Sequence, residues 1–323
     1  MRQFKRGTLT VMQDFFNMRL LLISIITLFL TACAGAKPNI YIPSKPPKPL
    51  TLKQQPRVAI VLGGGGARGY AHIGVLKVLQ KAGIPIDLVV GSSAGSLIGS
   101  LYADSGNANK VQNIMMRASF WDFADISNFP SLKGPIKGYH FQKFLLRHMQ
   151  ARQFRQLKKR FVTVATNLKN GKMYVIDSGP IPPAVEASAA IPGAVQPVHL
   201  YGKILIDGSM VNPIPADVAK RYHPKVIIAV NISQTLPKHL PLTAFGIYDR
   251  AYKISWLALS RLSERDADIV IRPNVGQVGT FDISQKRRML ATGERTARRM
   301  LPAIKRLLKQ KGILLTHENR KTS

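Results

Sequence analysis

Ser93 stands at the centre of Gly91-Ser92-Ser93-Ala94-Gly95, a G-x-S-x-G pattern that follows the apolar run Leu88–Val90. Flanking residues without bulk permit a sharp strand-to-helix turn, which holds a serine hydroxyl out at the C-terminal edge of a sheet with a helix N-terminus behind it. Ser92 and Ser96 lack the paired glycines, so Ser93 is the candidate nucleophile. A hydroxyl is a poor nucleophile until a base takes its proton. Asp207, in KILIDGSMVNP, closes a short apolar run and precedes Gly208, so it too can be presented at a sheet edge. His223 completes the order Ser, Asp, His. It sits in RYHPK beside Pro224, however, a turn signal that fits a surface position better. His72, on the helix after a glycine run, reads as a hydrogen-bonded packing residue. A direct Ser–Asp pair remains, with an aspartate whose reference pKa of about 3.9 has to be altered by its surroundings to suit a general base.

The second chemical feature is VLGGGGARGY, Val61–Tyr70, where Gly64, Gly66 and Gly69 satisfy G-x-G-x-x-G by letter. A glycine-rich strand-to-helix turn aims backbone N–H groups at one spot, so it is suited to negative charge. A phosphate-binding Walker loop is excluded because Gly69 is followed by Tyr70 and Ala71 rather than Lys and Ser or Thr. A dinucleotide site needs an acidic residue at the far end of the next strand. Asp87 stands at that strand's start, and its far end is occupied by Gly91–Gly95. The remaining reading is an oxyanion hole, in which N–H groups of the glycine turn and of Ala94 face a carbonyl oxygen under attack by Ser93.

Such chemistry needs two neighbouring parallel strands that end at one edge. Short apolar runs at Val58–Leu62, Leu88–Val90, Phe161–Val164, Ile204–Ile206, Val226–Val230 and Ile269–Ile271 read as buried strands, with helical patterns between several of them. Alternating strand and helix imply an α/β fold with a mostly parallel sheet. One domain is expected over 57–312, with a tail at 313–323 and a Pro/Lys-rich extended tether at 34–56. Residues 1–33 read as a signal segment whose start could be Met18. Leu20–Leu30 is apolar but too short to span a bilayer, which takes about 20 residues, and it ends in Leu30-Thr31-Ala32-Cys33. That ending resembles a bacterial lipoprotein box, with Cys33 as the lipidated residue. It implies a lipid-anchored protein of the bacterial envelope, and Ala34 points to the outer membrane, facing the periplasm.

The 323 residues carry 47 Lys and Arg against 16 Asp and Glu, a formal net charge of +31, which predicts attraction to a polyanionic surface. Eleven Lys or Arg and no Asp or Glu fall between Ile126 and Ile176, and twelve basic against three acidic residues follow from Asp282. These segments are either solvated faces or a surface for anionic membrane lipid. No zinc-finger spacing or basic-aromatic recognition motif is present, so nucleic acid is not an expected partner. The single cysteine excludes an intramolecular disulfide.

GGGGARG, GSSAG and the aspartate of DGS, in that order, together with GVLKVLQKAGIPIDLVVGSSAG and EASAAIPGAVQPV, resemble the patatin-like phospholipase family over about Arg57–Ser233. The resemblance implies a three-layer α/β/α fold with a nucleophile elbow, and a serine–aspartate dyad that hydrolyses acyl esters of membrane phospholipid or lysophospholipid. It implies no metal and no cofactor. Carried onto this chain, Ser93 is the nucleophile, Asp207 the proton acceptor and Gly64, Gly65 and Gly66 the oxyanion donors. Arg68 supports the loop, and Gly69, Gly91, Gly95 and Gly208 complete the motifs. Ser209 departs from the Gly or Ala usual after DG, which could alter rate or add a hydrogen bond. The aromatic stretch ASFWDFADISNFP could line an acyl groove, form a lid or simply pack in the core. A non-catalytic lipid-binding lipoprotein of the same fold is the alternative; oligomeric state is not assigned.

Overall fold

Residues Val58–Leu62 form strand β1, and all five are buried. They sort by parity: Val58, Ile60 and Leu62 join one apolar cluster, whereas Ala59 and Val61 join another. Side chains alternate across a strand, so a strand apolar at every position must be covered on both faces. This fits VAIVL to an interior position, with a strand on either side of it in the sheet. The computed structural model describes residues 40–49, 51, 54–126, 132 and 134–316, all within the unit Ile40–Ser323. Leu20–Leu30, Cys33 and the first part of the tether lie outside the described residues. Among the described residues no helix is long and apolar enough to cross a membrane.

The other strands are β2 (Ile86–Ser92), β3 (Arg160–Asn167), β4 (Met173–Ile176), β5 (Val198–Leu200), β6 (Lys203–Asp207), β7 (Val226–Val230) and β8 (Ile269–Ile271). They assemble in the order β5-β6-β3-β2-β1-β7-β8, and β4 pairs with β3. From β3 to β8 every pairing is parallel, and β4, β5 and β6 add antiparallel pairings at one side. All six expected apolar runs fall in strands. The short β4 and β5 are additional.

The helices are α1 (Tyr70–Lys81), α2 (Ala94–Ser105), α3 (Ala108–Arg117), α4 (Tyr139–His148), α5 (Ile181–Ser188), α6 (Ala216–Lys220), α7 (Ala244–Ser263) and α8 (Lys286–Gln310). The first apolar cluster joins one sheet face to α1–α5 and α8; the second joins the other face to the thin cover of Ile214 and α6. The three layers are therefore unequal. Behind the glycine turn, α1 and α8 touch at their backbones, because a Cβ on Gly74 would lie 2.1 Å from the Leu290 carbonyl oxygen and one on Gly293 2.0 Å from that of Ala71.

Two expected boundaries shift. Ile313 is buried and the Thr316 N–H donates to Gly83 O at 2.9 Å, so the folded part runs on past Gly312. At the other end the tether already touches the domain: Pro47 O accepts from Ser178 Oγ at 2.8 Å and Pro56 O from the Lys225 N–H at 3.0 Å. In the basic C-terminal segment, Arg287, Arg288, Arg295, Arg298 and Arg299 stand exposed on α8, while Met289, Gly293 and Ala297 face inward.

Candidate active site

The parallel register of β1 with β2 pairs Leu62 with Gly91, so the glycine turn and the serine turn leave the sheet side by side. Ser93 takes φ 53° and ψ −120°, a left-sided conformation that costs a non-glycine residue energy and is held only by its surroundings. Gly95 explains how: a Cβ there would lie 1.9 Å from Leu62 O, so only glycine lets α2 start directly against the end of β1. Ser188 Oγ accepts from the Ser93 N–H at 3.0 Å and fixes the turn from α5.

Asp207 reaches the same spot by a different route. Strand β6 is antiparallel to β3 and pairs Asp207 with Ala165, next to Val164, which pairs with Ser92 across β2. The carboxylate thus arrives level with the serine turn. Ser93 Oγ donates to Asp207 Oδ2 at 2.5 Å, and the Ser209 N–H donates to Oδ1 at 2.8 Å. The backbone of Asp207 is held at both ends, its N–H by Ala190 O at 2.9 Å and its carbonyl by Thr166 Oγ1 at 2.8 Å. Burial pushes the Asp207 carboxyl up to about 6, against the lowering effect of hydrogen bonds from Ser93 and Ser209.

The glycine turn contributes unequally. The Gly64 N–H donates to Pro213 O at 2.9 Å, so Gly64 is not a free oxyanion donor, contrary to expectation. Gly65 (φ 159°) and Gly66 (φ 56°) have N–H groups with no acceptor among the described residues, as does Ala94 at the first position of α2. The Arg68 N–H is committed to Gly65 O, so this residue acts through its side chain. Its guanidinium is buried and clamps the turn to Gln234 Oε1 at 3.1 Å and Val278 O at 3.0 Å, and burial lowers its pKa to about 10. His72 is fully buried behind the turn with Nε2 2.8 Å from Gly63 O, and desolvation takes its pKa down to about 4. It props the loop as a neutral ring. His223 lies in an exposed turn beyond α6, at φ 50°.

Two cavities meet at Ser93. One, of about 430 Å³, contains Asp207 and Arg68 and is walled by Tyr248, Tyr252 and Trp256 of α7. The other, of about 140 Å³, is apolar and is lined by Leu97, Met115, Phe120, Phe123 and Phe141 among others. Gly66, Ile191 and Thr280 belong to both. Phe120 and Phe123 come from the aromatic stretch noted in the sequence. The α7 wall was not legible there, since its aromatic spacing reads like any packed helix. Among the described residues no group of three or more His, Cys, Asp or Glu gathers that could hold a metal.

A strained serine turn, a facing buried carboxylate and a glycine turn thus share one edge of the parallel-centred sheet of an α/β protein. The patatin-like phospholipase family model matches residues 60–220, and the chain belongs to that family. It is 34% identical over 230 residues to the human patatin-like phospholipase domain-containing protein 6, a match covering 68% of this chain and 16% of that one. It is 30% identical over 283 residues to lysophospholipase NTE1 of Coccidioides immitis, covering 77% of this chain and 18% of the relative. The chain thus corresponds to a small part of these relatives. Among solved structures, VipD from Legionella pneumophila shares the fold with a TM-score of 0.54 at 14% identity, covering 77% of this chain and 67% of VipD.

Proposed function

We propose that this protein hydrolyses acyl esters of membrane lipid, phospholipid or lysophospholipid, with Ser93 as nucleophile and Asp207 as its base. The single observation that carries the reading is the 2.5 Å Ser93–Asp207 hydrogen bond where a larger cavity of mixed lining, with Arg68, Asp249 and Lys253 in its wall, meets a smaller apolar one. Asp207 takes the Ser93 proton as Oγ attacks the ester carbonyl carbon. The N–H groups of Gly65, Gly66 and Ala94 receive the oxyanion, and the positive end of α2 adds to them. Collapse expels the alcohol, which recovers the proton from Asp207. Water, deprotonated by Asp207, then attacks the acyl-serine, and collapse releases the fatty acid as Ser93 Oγ takes that proton back from Asp207. A carboxyl near pH 6 is suited to this, since a base works best when its pKa lies near the operating pH. The acyl chain occupies the apolar cavity and the polar part of the lipid the larger one. Arg68 keeps the glycine turn in place.

Fatty-acid release from a panel of phospholipids and lysophospholipids tests the proposal. Ser93→Ala and Asp207→Asn should both lose turnover; wild-type rates in either variant sink the dyad and favour the non-catalytic lipid-binding lipoprotein. A lipid anchor at Cys33, holding the domain at the bacterial outer membrane, is part of the same reading and rests on the LTAC sequence. Incorporation of labelled fatty acid that persists in Cys33→Ser rules it out.

A further inference from the structure

Helix α7 spans 20 residues, yet Ser260 is its only buried residue. One of its faces is accounted for: Tyr248, Asp249, Tyr252, Lys253, Trp256 and Leu257, spaced three or four apart, line the larger cavity. Phe245 extends that stripe one turn past the cavity rim and is 81% exposed. Leu240 and Leu242, 72% and 97% exposed, stand beside it in the preceding loop. That loop is fastened: Thr243 Oγ1 accepts from the Gly246 N–H, Arg250 donates to Pro237 O and His239 O, and Pro241 sits where a Cβ on Gly246 would go. Farther round, Ile247, Ala251, Ile254, Ala258 and Leu262 form a second exposed apolar stripe at helical spacing.

Seven of the seventeen exposed large apolar side chains among the described residues lie between Leu240 and Ile254, so this is a patch rather than scatter. It is continuous with the mouth of the cavity that holds Ser93, and Lys238, Arg250 and Lys253 flank it, against Asp249, which is paired with Lys253 at 2.6 Å.

We propose that Leu240–Ile254 is the docking surface by which this protein seats the mouth of its active-site cavity on an anionic phospholipid bilayer. A second protein molecule on this face would cover the mouth. A bilayer covers the same apolar side chains and at once presents the substrate to it, while the flanking cations meet its phosphates. The inference rests on the lipid-hydrolase reading for its purpose, and the residues it uses are distinct in the sequence from the basic segments at 126–176 and 282–323.

The test uses the full chain with vesicles of phosphatidylcholine and phosphatidylglycerol. Phe245→Trp should gain fluorescence that bromine-labelled lipid quenches, whereas Leu168→Trp, exposed elsewhere, should not; each is compared with the unsubstituted chain. The double variant Leu242→Asp, Phe245→Asp should hydrolyse vesicle lipid about tenfold or more slowly, as two large apolar side chains no longer leave water. Its hydrolysis of a soluble short-chain ester and its thermal melting should stay as in the wild type. Absence of quenching at residue 245, or unchanged vesicle hydrolysis in the double variant, overturns the proposal. So does a dimer in light scattering that the double variant dissociates, because a second copy is then the occupant. Loss of soluble-ester hydrolysis in the wild type itself refutes the enzyme reading, and the quenching result still decides the docking surface.

Discussion

Replacing the base should stabilise the fold while removing activity. Asp207 is fully buried, and its folded pKa is raised from an ordinary 3.8 to about 6, chiefly by desolvation. For a carboxyl with a raised folded value, the stability contribution is fully present below 3.8, where both states are protonated. It is lost as pH rises toward 6, because the unfolded chain releases the proton more readily than the folded one. At about 1.4 kcal/mol per pKa unit, the gap corresponds to about 3 kcal/mol lost in the wild type above pH 6. Asp207→Asn keeps an oxygen for the Ser209 N–H and carries no charge to bury. Urea unfolding of both proteins should therefore show the variant gaining about 3 kcal/mol relative to wild type between pH 3.5 and pH 8. The other titrating groups cancel in that difference. A pH-independent difference, or a variant that loses ground as pH rises, refutes the account of Asp207 as a carboxylate strained by burial.

Further outcomes follow from single contacts. Gly66→Ala would put a Cβ 2.3 Å from Thr280 O at a φ of 56°, so ester hydrolysis should fall by about 10²-fold or more in steady-state assays, the loss expected for a displaced oxyanion donor. Ser209→Ala removes the hydroxyl that sits 3.0 Å from Ser92 Oγ and helps hold Asp207 ionised. The acid limb of its pH–rate profile should move upward, and an unmoved limb shows that Ser209 only fills space. Ala124→Leu narrows the apolar cavity, so kcat/KM should drop for long-chain esters and hold for short ones. Asp177 accepts from Arg160 at 2.8 Å and from Tyr222 at 2.9 Å in a mostly buried setting. Asp177→Ala should cost about 3 kcal/mol in urea unfolding by leaving that guanidinium unpaired.

The central strands were legible because burial on both faces demands unbroken apolar runs, as in Val58–Leu62 and Val226–Val230. Strand β4 was missed although Asn170-Gly171 ahead of it is a hairpin signal; its partly buried MYV looks polar-flanked and short. Ser93 and Asp207 could be singled out because each needs small neighbours to be presented, and small neighbours are visible as letters. Which glycine N–H stays free was not visible, since the acceptor that occupies Gly64 is the Pro213 carbonyl, far along the chain. Ser188, Thr166 and Ala190, which hold the pair in place, were missed for the same reason: they act through hydrogen bonds that exist only once α5 and β3 pack at the sheet edge. The aromatic wall on α7 lies beyond the stretch matched by the family model and carries no spacing distinct from a core helix.

The most direct test of the central claim is covalent capture of the nucleophile. An alkyl fluorophosphonate phosphonylates an activated serine with loss of fluoride, and mass spectrometry of the digested full chain locates the adduct. The account predicts one adduct per chain on the peptide containing Ser93, strongly reduced in Asp207→Asn and absent in Ser93→Ala. Full labelling of Ser93→Ala, or a wild-type chain that releases fatty acid yet takes no label at Ser93, contradicts it.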